Sequence, residues 1–387
     1  MSRAAARPSS KTGLQMNRRL VSAVAAIGLA ASLGLAAAGS ASADPVPNQP
    51  GTPPTGKTAA QIYATVGADA FAELTNNLAT KYNAQSPAPS HVIASYDAIN
   101  PVTGVAGENI TTKPGCSVAR PNGANAGITA ILLNQKSTVD SSQYCIDFVR
   151  SSRAKGTAAG EANLTFYAQS RDAVSYAVIG NAYAPTTPLT TAQLKDIFEC
   201  TVTDWSEVGG QAGDIHVYLP PSSAATLTFF LQAIGTSLTN VQAGCNGLPT
   251  VFTTQQNDGR TMDGDPQGIA PYAVTKWAAQ VNEPTGINDY RGGAHIGLVN
   301  TTTAPTTTTT LGGVKYEVLN PSFASGASAS FGRIFFNTVR NDASDDLKAI
   351  FKPGGFLCQH ADELLVPFGN TPLGNDTSAS RYCGQAS

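Results

Sequence analysis

The chain has 387 residues, a formal net charge of -2 and only 13% charged side chains. That balance leaves no basic stripe for nucleic acid and no acidic block for a cationic macromolecule, so a small neutral or anionic solute is the ligand class left open. The length is enough for two ordinary domains with a sizeable core.

At the amino terminus, Arg18 and Arg19 precede an apolar run from Leu20 to Ala38, and Ala41-Ser42-Ala43 follows. Residues 1–43 are therefore read as a secretory signal peptide cleaved after Ala43. A membrane anchor is the competing reading, weakened by the alanine-rich run and its breaks at Gly28 and Gly34. No cysteine stands at the cleavage site to carry a lipid, so the mature protein is expected outside the cell. Residues 44–58, rich in Pro, Gly and Thr, read as an extended linker.

Ordered chain is expected from Ala59. A strand over Ile62–Val66, a break at Gly67 and a helix carrying Phe71, Leu74, Leu78 and Tyr82 come first. A strand follows over His91–Tyr96. Arg120 to Leu133 then passes from a glycine-rich loop to a helix, with Asn125 as candidate cap and Ile128, Ile131 and Leu132 on one face. Such a start offers unpaired N–H groups and the positive end of a helix dipole, which suits an anion. A plain turn before an amphipathic helix gives the same local pattern. A strand over Ile146–Val149 ends at Arg150-Ser151-Ser152-Arg153.

The second half repeats the scheme. Leu164–Tyr167 and Ala173–Ile179 read as two β-rich pieces, and Thr190-Thr191-Ala192-Gln193 as a capping box before a helix. A strand over Ile215–Leu219, a turn at Pro220 to Ser223 and a helix with Leu227, Phe230, Leu231 and Ile234 follow. Gly268 to Tyr272 leads into a helix through Trp277, Thr301–Thr310 reads as a loop or hairpin, Ile334–Val339 as a strand, and Ser344 as the cap of another helix. Strands alternating with helices imply a mainly parallel sheet with ligands at the strands' carboxyl ends.

Six cysteines in an exported chain imply disulfides, and of the fifteen pairings the local one, Cys116–Cys145, Cys200–Cys245 and Cys358–Cys383, is preferred because each closes a modest loop. No CxxC occurs and His91, His216, His295 and His360 are scattered, so neither a metal site nor a cofactor is expected. No G-x-S-x-G elbow, H-E-x-x-H motif or P-loop is present, and no catalytic residue is assigned.

Thr190 to Gly210, TTAQLKDIFECTVTDWSEVGG, resembles the helix and Trp turn of the phosphate-binding proteins of phosphate ABC transporters, and Trp205 marks the most specific motif. RPNGANAG resembles their GSGAG loop, Ile146–Arg153 their strand and serine loop, and Ser222–Leu231 stands where they carry a Ser-Gly-Thr loop. The resemblance implies an α/β, two-lobe solute-binding fold of the type II periplasmic kind, with two mixed sheets flanked by helices and two hinge crossovers. It divides the chain into lobe I (59–172), lobe II (173–329) and a return segment with the carboxyl tail (330–387). It implies a monomeric, non-enzymatic receptor for inorganic phosphate or a similar oxyanion, with an ABC permease as partner.

The implied ligand positions are Ala68, Asp69, Gly123, Ala124, Asn125, Ser151, Ser152, Ser222, Ser223 and Thr226, with Arg120 and Arg150 as possible charge partners. Several depart from the family pattern. Ala124 replaces the serine of GSG, Ala224-Ala225-Thr226 replaces Ser-Gly-Thr, and Ser152 stands at the acidic position. No arginine lies beside the lobe-two loop, where Leu219 and Leu227 stand. Each hydrogen bond lost to a charged ligand removes about 1.5–3 kcal/mol, so a binding module of the same fold that has lost phosphate is the alternative. Structural roles compete at each position: turn residues for Ser222 and Ser223, a helix cap for Asp69, packing for Trp205, and salt-bridged arginines for Arg120, Arg150 and Arg153.

Overall fold

Strand β1 (Ile62–Gly67) is buried along its whole length and pairs in parallel with β2 (Val92–Ser95) and β5 (Phe148–Ser151). Its apolar run without alternation follows from this, since both faces are covered. The structure is a computed structural model that describes residues 44–46, 49–180 and 183–387; the signal peptide over 1–43 lies outside the described residues. Helix α1 (Ala72–Asn83) follows β1, and a hairpin of β3 (Asn109–Lys113) and β4 (Cys116–Ala119), not foreseen in the sequence, precedes helix α2 (Ala124–Leu132). Gly127 lets α2 lie directly on the sheet, because a Cβ there would come 2.8 Å from the Gly67 Cα and 2.4 Å from Val149 Cγ1.

Strand β6 (Leu164–Ile179) runs unbroken where the sequence suggests two pieces. The polar run Gln169 to Asp172 reads as a break, but its side chains find partners across the sheet: Gln169 with Asn337, Ser170 with Asn370 and Asp172 with Arg333. Beyond it come α3 (Thr191–Phe198), β7 (His216–Leu219), α4 (Ala225–Ala233), α5 (Leu238–Gly244), β8 (Val251–Thr253), β9 (Gly268–Ala273), α6 (Val274–Asn282) and β10 (Ala294–Ile296). A hairpin of β11 (Thr306–Leu311) and β12 (Val314–Leu319) takes the threonine-rich stretch, and β13 (Gly332–Arg340), α7 (Asp345–Phe351), α8 (Phe356–Gln359), α9 (Ala361–Leu365) and β14 (Thr371–Pro372) follow. The capping box at Thr190 and the Ser344 cap form as expected.

The main sheet runs β2-β1-β5-β13-β6-β9-β7-β8. Pairs at its two ends are parallel, while every pair made by β6 and β13 is antiparallel, which corrects the mainly parallel expectation to a mixed sheet. The two long strands β6 and β13 are the reason, for each pairs antiparallel with its neighbours at the centre of the sheet. One apolar core gathers Phe148, Phe166, Ile350 and Phe351; a second gathers Phe198, Trp205, Phe230 and Phe331. Trp205 is fully buried and donates its indole N–H to the Gln267 carbonyl, so it packs and does not reach a ligand.

The three disulfides are those of sequence order. The widest, Cys200–Cys245, spans 45 residues, and cross-linking a loop of that length contributes about 4 kcal/mol on the chain-entropy account. The linker is less free than its composition suggests. Asp44 is buried, accepts the N–H groups of Gly51 and Asp97 at 2.8 Å and pairs with Arg120 at 2.9 Å, which fastens the segment to the domain.

Candidate functional site

Two helix starts, one from each half of the molecule, meet face to face. Gly123 is the N-cap of α2, and its φ of 108° is open to glycine only at little cost. A Cβ there would lie 2.6 Å from the Ser223 carbonyl oxygen, in the turn that opens α4. The first helical bonds are those of the Gly127 N–H to Gly123 and of the Thr228 N–H to Ala224. The N–H groups of Ala124, Asn125 and Ala126, and of Ala225, Thr226 and Leu227, therefore precede the intrahelical ladders and point out of the helix starts. Asn125 lies inside the helix and accepts the Arg153 Nε–H at 2.6 Å, which corrects its reading as the cap: the glycine before Ala124 sets the start two residues earlier.

Beside these starts lies Arg333, a residue without a local sequence signal. It is only 6% exposed. Its Nε–H donates to Asp172 Oδ2 at 2.7 Å and its Nη2 to Thr226 Oγ1 at 3.1 Å. Asp172 is held in turn by the backbone N–H of Thr275 at 3.1 Å and by the Thr275 hydroxyl at 2.7 Å. The remaining nitrogen, Nη1, is buried without a partner among the described residues. A buried guanidinium donor left open at a helix start is the arrangement that an oxyanion satisfies, since charge-assisted hydrogen bonds are the strong ones in a dry cleft.

The other expected positions divide between those near this junction and those engaged elsewhere. Ala68 exchanges hydrogen bonds with Arg150, donating its N–H to the Arg150 carbonyl and accepting from Nε. Ser151 donates to the Arg153 carbonyl at 2.8 Å, Ser152 is buried, and Thr226 is buried against Arg333. Ser222 is exposed and Ser223 half-buried, with the Ser223 carbonyl facing Gly123. Arg120 and Arg150 spend their charge within the protein, although Arg120 Nε is, like Arg333 Nη1, buried without a partner among the described residues. Arg120 pairs with Asp44 and Glu108 and donates to the Asp97 carbonyl. Arg150 is fully buried, donates to the Ala68 and Tyr96 carbonyls and to the Ser95 hydroxyl, and has its pKa lowered by that burial. The guanidinium beside the α4 start comes instead from β13, as Arg333.

Asp69 opens a short helical turn after β1, and its carboxylate receives the Asn257 amide at 3.4 Å. It faces a separate cavity of 200 Å3, shared with Glu73, Asp97 and Lys276 and with the segment from Gln255 to Arg260. Burial, and then the Glu73 and Asp44 carboxylates, push the Asp97 carboxyl up from its usual 3.8 to about 7. The folded value lies above the unfolded one, so this contribution to stability is complete below pH 3.8 and is lost as pH rises to about 7. Thermal melts are expected to show stability falling between pH 5 and about 7, with Asp97→Asn flattening that slope; an equal slope in the variant would contradict the assignment.

The arrangement is a mixed α/β fold in which the starts of α2 and α4 lie against each other. The sequence model of the PBP superfamily domain matches residues 55–327, and the chain belongs to that family. No curated protein sequence matches it. Among solved structures it is similar to an ABC-type phosphate transport receptor from Vibrio cholerae, at 18% identity and a TM-score of 0.51, over 80% of this chain and 98% of that one. It is similar also to a protein assigned as a phosphate ABC transporter substrate-binding protein, with bound phosphate, from Clostridium perfringens, at 14% identity and a TM-score of 0.53, over 81% of this chain and 100% of that one. At these identities the likeness is one of fold.

Proposed function

We propose that this protein is an exported, monomeric, non-enzymatic solute-binding protein that captures phosphate or a similar oxyanion between the starts of α2 and α4 and delivers it to an ABC permease. The observation that carries this reading is the open Nη1 of buried Arg333 beside Thr226. Backbone N–H groups from Asn125 and Thr226 complete the ligand shell, and residues 59–172 with 330–387 form one lobe while 173–329 form the other, hinged at β6 and β13. The Asp172 carboxylate is fully occupied by Arg333 and Thr275, and Asp69 is turned to Asn257. Glu161 is paired with Arg153, so among the described residues these carboxylates are all engaged and discrimination against sulfate is expected to be weak. Titration calorimetry of the ligand-free protein tests this: phosphate and sulfate should both bind and both raise the melting temperature. No heat and no stabilisation at millimolar phosphate would overturn the reading. That outcome would favour a module of the same fold that has lost phosphate, for which Ala124 and Ala224 in place of hydroxyl-bearing residues speak.

A further inference from the structure

Four carboxylates, those of Asp69, Glu73, Asp97 and Asp258, line the 200 Å3 cavity beside Asp69. Two of its carboxylates are already neutralised: Glu73 by Lys276, and Asp258 by Arg260 at 2.6 Å. Asp69 and Asp97, each 9% exposed, form no ion pair among the described residues. Their side-chain partners are amides: Asn257 for Asp69, and Asn76 for Asp97 at 2.8 Å. Arg150 lies behind them, but its hydrogen bonds go to the Ala68 and Tyr96 carbonyls and to Ser95. Asp97, its carboxyl pushed up to about 7, is only partly ionised near neutral pH, so with Asp69 it leaves a partial negative charge beside one guanidinium, which a cation in the cavity would complete.

A second observation is independent of the carboxylates. Gln256, 5% exposed, lines the same cavity, and its Oε1 is buried with no donor among the described residues. An acceptor left open in this way calls for a ligand N–H. A cation that carries its own N–H donors meets both the carboxylates and the open Gln256 oxygen. Room for about six heavy atoms sets the size.

We propose that this cavity is a second ligand site that takes the ammonium group of a small organic amine, with Asp69 and Asp97 as charge partners and Gln256 Oε1 as a hydrogen-bond acceptor. The site is separate from the oxyanion reading and does not depend on it. Its ligand carries one positive charge, and a neighbouring ammonium favours the ionised form of Asp97, so binding near neutral pH releases protons.

The experiment is thermal unfolding of the full chain with ethylammonium chloride, set against potassium chloride at equal ionic strength, together with calorimetry in two buffers of different ionisation heat. Ethylammonium is expected to raise the melting temperature where potassium does not, with proton release at pH 7. Asp97→Asn and Gln256→Leu are each expected to reduce the shift severalfold while leaving any response to phosphate unchanged. Equal shifts with the two salts, no shift at millimolar amine, or a full shift in both variants would overturn the proposal. Loss of the phosphate response with the amine response intact would count against the oxyanion reading alone.

Discussion

Arg333→Lys is expected to weaken phosphate binding by about 10- to 150-fold, the equivalent of losing one hydrogen bond to a charged group. The guanidinium does three things that a lysine ammonium cannot do together: it holds Asp172 through Nε, holds Thr226 through Nη2 and keeps Nη1 for the ligand. A lysine would follow Asp172, the stronger partner, and leave the α4 start without charge. Stability separates this role from simple packing. Arg333→Ala leaves Asp172 buried and unpaired and should cost about 3–5 kcal/mol of folding free energy, whereas Arg333→Lys keeps the ion pair and should cost much less. Denaturant unfolding beside phosphate calorimetry reads both. A lysine variant that binds phosphate as the parent does would remove Arg333 from the site.

Gly123→Ala is expected to hold the two halves apart. Alanine at a φ of 108° carries about 1–3 kcal/mol of backbone strain. More important, its Cβ would press on the Ser223 carbonyl at 2.6 Å, a contact that exists only while the helix starts face each other. Separation relieves the clash, so the variant should fold with a modest loss of stability yet bind phosphate at least about tenfold more weakly, because its binding-competent state is depopulated. Small-angle scattering should show the parent compacting with phosphate and the variant failing to do so. Compaction and affinity equal to the parent's would show that the Gly123–Ser223 approach is not part of the bound state.

What the sequence reveals is what local chemistry controls. The Thr190 capping box, the Ser344 cap and the glycine spacing at 123 and 127 are all set by residues within one or two turns of each other, while the β3–β4 hairpin and the unbroken β6 are not. The site's charge is not. Arg333 and Asp172 are 161 positions apart and meet only because β6 and β13 pair in antiparallel register. In the sequence Asp172 falls in the gap between two β-rich pieces, and Arg333 just before the strand read at Ile334–Val339. Arg120 and Arg150 show the converse: adjacency in sequence to the ligand loops suggested charge for a ligand, while their buried surroundings, Asp44 and Glu108 for one and backbone carbonyls for the other, consume it. The acid-lined cavity was equally hidden, since Asp69, Asp97 and Gln256 come from three distant turns.

The most direct test is a crystal structure of the protein grown with arsenate, a phosphate isostere whose arsenic is located by its anomalous scattering. A single peak within hydrogen-bond distance of Arg333 Nη1 and of the Asn125 and Thr226 backbone N–H groups is the expected result. A protein in which those three groups enclose no arsenic, or in which the ion sits elsewhere, would contradict the assignment of the junction as an oxyanion site.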